Sequence, residues 1–77
     1  MPAKSINSQK YHKVISLLIS ERLKKRMTQA DIAAKLDKPQ SYIAKYELCE
    51  RRLDVLEFMD VCAALNLRPS KVMVLTQ

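Results

Sequence analysis

The 77-residue chain contains no glycine, one histidine and two cysteines. Without glycine it cannot form the glycine-rich loops that hold phosphates in nucleotide-binding proteins. Cys49 and Cys62 form no CxxC pair and His12 is remote in sequence, so four metal ligands are lacking and we expect free thiols and no cofactor. Because the chain also has no paired acid motif, it lacks the convergent groups that catalysis requires. We therefore do not expect an enzyme.

Long apolar runs are absent as well. No stretch reaches the roughly 18 apolar residues that span a bilayer, and residues 1–7 lack the apolar core of a signal peptide. We expect a cytoplasmic protein without a membrane partner, in which residues 1–7 form a flexible arm and residues 8–77 form one folded domain. On grounds of length, no effector-binding domain and no small-molecule effector are expected.

Positive charge is in excess and unevenly distributed. The net charge is +6 and the isoelectric point is near 9.6. Residues 22–52 contain nine Lys or Arg against four Asp or Glu, whereas residues 53–77 contain two against three. This balance favours a polyanionic partner, although charge alone fits DNA, RNA or an anionic membrane surface.

Residues 28–47 predict two short helices joined by a tight turn. Thr28 can cap the first helix, with Asp31 in the reciprocal capping position. After the turn, Pro39 is suited to start the second helix because its φ is already helical. This pattern is typical of a helix-turn-helix.

The second helix, about residues 40–48, has one apolar stripe formed by Ile43 and Tyr46. Its opposite face contains small or hydrogen-bonding side chains that no hydrophobic core requires. Such a face suits the major groove of DNA. Its residues are Gln40, Ser41, Ala44 and Lys45.

Residues 18–72 resemble the Xre-type repressor family, the group of lambdoid phage repressors and Cro proteins. The resemblance rests on the Thr28-Gln29 opening, on Ala33 at the helix crossing, and on the segment from Tyr46 to Val55. That segment is similar to Tyr-Glu-x-Gly-Glu-Arg-Arg-Leu-Asp-Val, which is common in bacterial members. The resemblance implies an all-α, five-helix, compact domain of the phage repressor/Cro type. It also implies a small regulator that binds double-stranded DNA sequence-specifically, with an antitoxin or protein-interaction adaptor on the same fold as the alternative.

The family's docking mode places the recognition helix in the major groove, with its N-terminal residues at the base edges. Gln40 suits adenine, whereas Lys45 can reach guanine or a phosphate and Tyr42 can contact the backbone or pack. The implied base contacts are Gln40, Ser41, Ala44 and Lys45. The implied phosphate contacts are Gln29, Lys38, Tyr42, Arg51 and Arg52. For the Lys and Arg residues among them, a solvated surface side chain is the alternative. By the same resemblance, Arg22 and Glu47 form a structural ion pair.

The remaining segments predict a first helix from about Ser8 to Lys25, a fourth from Asp54 to Leu65, and a fifth from Pro69 to Val74. The predicted core residues of the last two helices are Val55, Phe58, Met59, Cys62, Leu65, Val72 and Leu75. The first helix has more apolar surface than one core requires, and either the C-terminal segment or a second subunit can cover the surplus. We therefore expect a homodimer on a pseudo-palindromic operator, with Met73 and Leu75 favoured as contacts over the first helix.

The absence of glycine departs from the family pattern, because relatives usually have glycine at several helix ends. Arg26, Asp37, Cys49 and Asn66 occupy positions where the backbone of relatives tends to be left-handed. Asn and Asp accept that conformation well, whereas Arg and Cys cost roughly 1 kcal/mol or somewhat more. Either the loops are slightly strained, or the loop at Cys49 follows a changed path with altered phosphate contacts.

Overall fold

The fold consists of helices and short connections. The computed structural model describes residues 8–77, so the predicted flexible arm at residues 1–7 lies outside the described residues. The helices are α1 (Gln9–Lys24), α2 (Gln29–Leu36), α3 (Gln40–Glu47), α4 (Val55–Ala64) and α5 (Pro69–Leu75). The predicted all-α, five-helix architecture is confirmed for this part of the chain.

Three of the helices begin with a side-chain cap. The hydroxyl of Ser8 accepts a hydrogen bond from the amide of Tyr11 at 3.0 Å. Reciprocal capping boxes join Thr28 to Asp31 at the start of α2 and Asp54 to Glu57 at the start of α4. Because each box satisfies two amides that would otherwise lack partners, the predicted starts of α2 and α4 are confirmed.

Four helices end in the same way without glycine. The predicted left-handed positions Arg26, Asp37, Cys49 and Asn66 have φ values of 58°, 56°, 61° and 55° and are confirmed. In each case the residue after the left-handed one donates its amide to the carbonyl of the residue five positions before it, at 2.9–3.0 Å. This six-to-one bond defines the Schellman motif, which satisfies carbonyls at a helix C-terminus.

We predict that Arg26→Gly raises the stability of the fold. A left-handed residue with a β-carbon costs about 1–2 kcal/mol, whereas glycine adds about 0.4–1 kcal/mol of freedom to the unfolded chain. Urea denaturation should therefore show a gain of up to about 1 kcal/mol. Asn66→Gly is the matched control, because asparagine already tolerates this conformation, so the added freedom of the unfolded chain should leave that variant no more stable than the parent. An Arg26→Gly protein that unfolds at lower urea than the parent would contradict the prediction.

All five helices contribute buried side chains to a single core. α2 packs against both α3 and α4, while α1 packs against α3 and α5. Buried polar atoms without a hydrogen-bond partner are absent from the described side chains. The core residues are Ile15, Leu18, Ile32, Ala33, Ile43, Tyr46, Phe58, Val61, Cys62, Leu65 and Val72.

The predicted core of α4 is wrong at two positions. Val55 is 69% exposed and Met59 is 48% exposed, whereas Val61 is fully buried. The buried stripe follows the i, i+3, i+4, i+7 spacing that starts at Phe58. Met59 lies one residue off that stripe, and Val55 is the first residue of the helix, at the edge of the core.

The predicted core is also wrong at the end of α5. Leu75 is 52% exposed and the neighbouring Thr76 is buried instead. Thr76 lies four residues after the buried Val72, so it continues the inward face of the chain. Its hydroxyl donates to the carbonyl of Val72 at 3.0 Å, which satisfies the polar group inside the core.

The apolar surface of α1 is largely covered within the chain. Tyr11, Val14, Leu17 and Ile19 pack against the core. Leu23, near the end of the helix, is strongly exposed. Of the two covers expected for α1, the C-terminal segment is therefore present within the chain, since α5 as well as α3 packs against this helix.

Candidate nucleic-acid interface

The helix pair α2 and α3 is held by the turn at residues 37–39. Ala33 is buried beneath this turn, and its carbonyl accepts a hydrogen bond from the amide of Lys38 at 3.0 Å. Pro39 has a φ of −71° and precedes the first turn of α3. The local geometry therefore follows the predicted order of helix, left-handed stop, proline and second helix.

The four predicted base contacts share the outer face of α3. Gln40, Ser41 and Lys45 are exposed and Ala44 is half-buried. Ile43 and Tyr46 are fully buried on the other side of the helix. α3 thus presents small and polar side chains to solvent while its apolar stripe attaches it to the core.

An ion pair connects α1 to the last turn of α3. The Nε and Nη2 atoms of Arg22 donate to the two carboxylate oxygens of Glu47 at 2.7 and 3.0 Å. The remaining Nη1 donates to the carbonyl of Met27 at 2.9 Å. The side chains of Arg22 and Glu47 are only 12% and 8% exposed. The structure therefore brings the predicted structural pair together in a desolvated position.

Two glutamines extend this pair to the outer face. The Nε2 atom of Gln29 donates to Oε1 of Glu47 at 2.9 Å. The Oε1 atom of Gln29 accepts a hydrogen bond from Nε2 of Gln40 at 3.3 Å. A hydrogen-bond relay thus runs from Arg22 to Gln40, a connection that the sequence analysis did not identify.

A second cluster surrounds Tyr42 on α3. The Lys38 ammonium lies 5.3 Å from the ring centroid and the Arg51 guanidinium carbon lies 4.8 Å from it. The ring of Tyr46 packs edge-on at 5.9 Å between centroids. Cations at these distances are attracted to the ring face. Three predicted phosphate contacts, Lys38, Tyr42 and Arg51, are therefore neighbours in the structure.

Arg51 also forms a bidentate pair with Glu57 at the start of α4. Its Nη1 and Nη2 atoms donate to the two carboxylate oxygens at 3.1 and 2.7 Å. The same carboxylate accepts the amide of Asp54 at 2.9 Å within the capping box. The Arg51 hydrogen bonds and then the Asp54 amide lower the pKa of Glu57 to about 2 from an ordinary value of 4.5.

We predict a pH dependence of stability from this site. The pKa of Glu57 is lower in the folded state than in the unfolded state, so the unfolded state binds the proton more tightly. The stabilising contribution is complete above about pH 5 and is lost as the pH falls toward 2. Glu57→Gln keeps a capping side chain but removes the charge, and should flatten urea stability across this window. Arg51→Met should flatten it only in part, because the Asp54 amide still donates to Glu57. An unchanged slope in both variants would contradict the assignment.

Arg52 packs against α1. Its guanidinium carbon is 4.9 Å from the centroid of the Tyr11 ring. The Tyr11 hydroxyl in turn accepts a hydrogen bond from the amide of Leu53 at 3.2 Å. The structure therefore places the Arg52 guanidinium on the ring of Tyr11 in the first helix. These contacts join the segment between α3 and α4 to the first helix.

Metal ligands, thiols and long apolar helices are the other features that could form a site in residues 8–77. No group of three or more His, Cys, Asp or Glu side chains there could hold a metal ion. Cys49 and Cys62 are free thiols. No helix among these residues is long and apolar enough to cross a membrane.

Comparison with known proteins agrees with this geometry. The profile of the helix-turn-helix family matches residues 18–72. An XRE-family like protein from Pseudomonas syringae pv. tomato str. DC3000 is 38% identical, with a TM-score of 0.87 over 94% of this chain and 88% of that protein. The restriction-modification controller protein C.Esp1396I, solved as a tetramer with its natural 35-base-pair operator, is 26% identical, with a TM-score of 0.81 over 91% and 92% of the two chains. No curated protein sequence matches. The chain belongs to the helix-turn-helix family, as an Xre-type regulator.

Proposed function

We propose that this protein is a small transcriptional regulator that binds double-stranded DNA sequence-specifically, with α3 in the major groove. The observation that carries the proposal is the polar outer face of α3, whose first residue, Gln40, is held in place by Gln29. The similar controller protein C.Esp1396I is bound to its operator in its own structure. The net charge of +6 supports a polyanionic partner.

Base recognition is assigned to the outer face of α3. The Gln40 amide can accept from N6 and donate to N7 of adenine. Ser41 can contact several bases, Ala44 suits a thymine methyl group, and Lys45 can donate to guanine or to a phosphate. These side chains supply the sequence discrimination of the complex.

Phosphate contacts are assigned to the residues around this face. The amide nitrogen of Gln29 uses one N–H for Glu47 and has a second N–H that can donate to a phosphate. The carboxylate of Glu57 and the carbonyl of Arg52 use three of the five guanidinium N–H groups of Arg51, so two donors remain for a phosphate. Lys38, Tyr42 and Arg52 complete the set, which positions the protein without reading sequence.

Selection from randomised duplexes tests this function. A sequence-specific regulator enriches one family of duplexes, and its affinity for them falls steeply with salt as counterions are released. Arg51→Ala should weaken binding to every duplex alike and make the salt slope shallower by about one unit. A protein that enriches no sequence but co-purifies with a basic toxin would instead be an antitoxin.

A homodimer is the proposed active form, since one small module buries only about 600–1,000 Å² on DNA. Exposed apolar side chains cluster around α5 and the start of α4, next to a cavity of about 320 Å³ that Tyr11, Val55 and Met73 help to line. A second copy bound there would cover this surface. A two-fold dimer places its recognition helices about 34 Å apart, which requires half-sites about 10 base pairs apart.

Sedimentation equilibrium at micromolar concentration checks this assembly. Met73→Glu places a charge in the apolar surface and should shift the protein to monomer. Leu23→Glu is the matched control, because Leu23 is similarly exposed but lies on α1 outside this surface. A parent protein that stays monomeric even on a palindromic duplex would contradict the proposal.

A further inference from the structure

The relay from Glu47 to Gln40 has a defined direction. A carboxylate can only accept hydrogen bonds, so Glu47 requires the NH2 group of Gln29 to face it. The carbonyl oxygen of Gln29 then faces outward, where it can only accept. Gln40 must therefore turn its own NH2 group toward Gln29. The buried charge at the end of α3 thus fixes the orientation of an exposed amide on its first turn.

This orientation decides what Gln40 offers to a base. One N–H of Gln40 is used by Gln29, which leaves one carbonyl oxygen and one N–H. Adenine presents one donor and one acceptor in the major groove, and so complements this pair. Guanine presents two acceptors, O6 and N7, and would require two N–H groups. An inverted relay would supply them, because the Gln40 oxygen would then accept from Gln29.

We infer that Glu47 is a specificity-determining positioning residue: through Gln29 it makes Gln40 select adenine over guanine at one base pair, although Glu47 itself does not touch DNA. The inference rests on the proposed function, which places Gln40 at a base edge. Arg22 supports the arrangement because it donates to both carboxylate oxygens and so holds Glu47 in place beside Gln29.

The test compares affinities for two duplexes. Selection on randomised DNA identifies the operator. Each base pair of the operator is then substituted, and affinity is measured for the parent and for Gln40→Ala. Gln40 reads the base pair whose substitution weakens binding of the parent but not of Gln40→Ala. The parent should bind the adenine duplex about 5-fold to 150-fold more tightly than the guanine duplex, as expected for one bidentate contact. A parent that prefers guanine at this base pair would overturn the inference.

Gln29→Met is the decisive variant, since it keeps the ion pair but breaks the relay. Freed of the relay, Gln40 can adopt either orientation, so the adenine-to-guanine ratio should fall by about 10-fold or to near unity. Lys38→Met is the control, because loss of a phosphate contact weakens both duplexes alike and preserves the ratio. A Gln29→Met protein that keeps the parent ratio within about two-fold would overturn the inference.

A second variant tests Glu47 itself. The double variant Arg22→Met, Glu47→Gln replaces the charged pair with neutral side chains of similar size, and circular dichroism confirms whether it folds. Because glutamine at 47 can either donate or accept, the ratio should fall as in Gln29→Met. A folded double variant that keeps the parent ratio would also overturn the inference. If selection enriches no duplex at all, it is the proposed function that fails.

Discussion

Replacing Glu47 with alanine should destabilise the fold by about 3–5 kcal/mol, because it leaves the charge of Arg22 desolvated without its partner. The Arg22 side chain is only 12% exposed in the pair, so water can replace little of the lost interaction. A small domain has about 5–15 kcal/mol of total stability, so this single change brings the protein close to unfolding. Urea denaturation monitored by circular dichroism measures the loss.

The double variant Arg22→Ala, Glu47→Ala separates pairing from packing. When both charged side chains are removed, no buried charge is left without a partner. The double variant should therefore lose less free energy of unfolding than either single variant. Lys24→Ala is the control, because Lys24 makes an exposed pair with Glu21 and its loss should be within about 0.5 kcal/mol. Purely additive effects of the two alanine changes would refute the coupling.

Replacing Gln40 with alanine should cost about 1–3 kcal/mol of binding free energy at the selected operator. The reason is that alanine offers neither the oxygen nor the N–H that matches adenine. Affinity for unrelated duplexes should barely change, because phosphate contacts supply that binding. Fluorescence anisotropy with both kinds of duplex at one fixed salt concentration measures the two effects.

Arg51→Ala provides the contrast for the Gln40 variant. It should lower affinity for operator and unrelated duplexes by the same factor, since a phosphate contact carries no sequence information. The ratio of the two affinities therefore falls for Gln40→Ala and stays constant for Arg51→Ala. Equal losses on both kinds of duplex in Gln40→Ala would show that Gln40 reads no base.

The sequence predicts best those features that depend on neighbours along the chain. The capping boxes at Thr28 and Asp54 and the left-handed helix ends such as Arg26 are local, because residue type and spacing determine which backbone groups are satisfied. The five helices follow from these signals together with apolar periodicity. Their placement around one core agrees with the resemblance to the repressor family.

The features that the sequence predicts wrongly or does not predict depend on contacts between different helices and loops. Val55 fits the period of α4, but the periodicity cannot show that the core ends before the first residue of that helix. The pairing of Arg51 with Glu57 depends on how the loop after α3 turns back to α4. The relay through Gln29 likewise requires two helix starts and one helix end to meet, which no spacing within a single helix encodes.

The two free thiols provide an intrinsic measure of how the structure opens. Cys62 is fully buried, and burial raises its pKa to about 11, so almost no reactive thiolate exists at neutral pH. Cys49 is half-buried in the loop that follows the recognition helix, with a pKa raised more modestly by the same cause. An alkylating reagent can therefore modify Cys62 only after the core has opened, whereas local motion of the loop is enough to expose Cys49 to the reagent. The two alkylation rates, resolved by mass spectrometry, distinguish fraying of that loop from global unfolding without any introduced label.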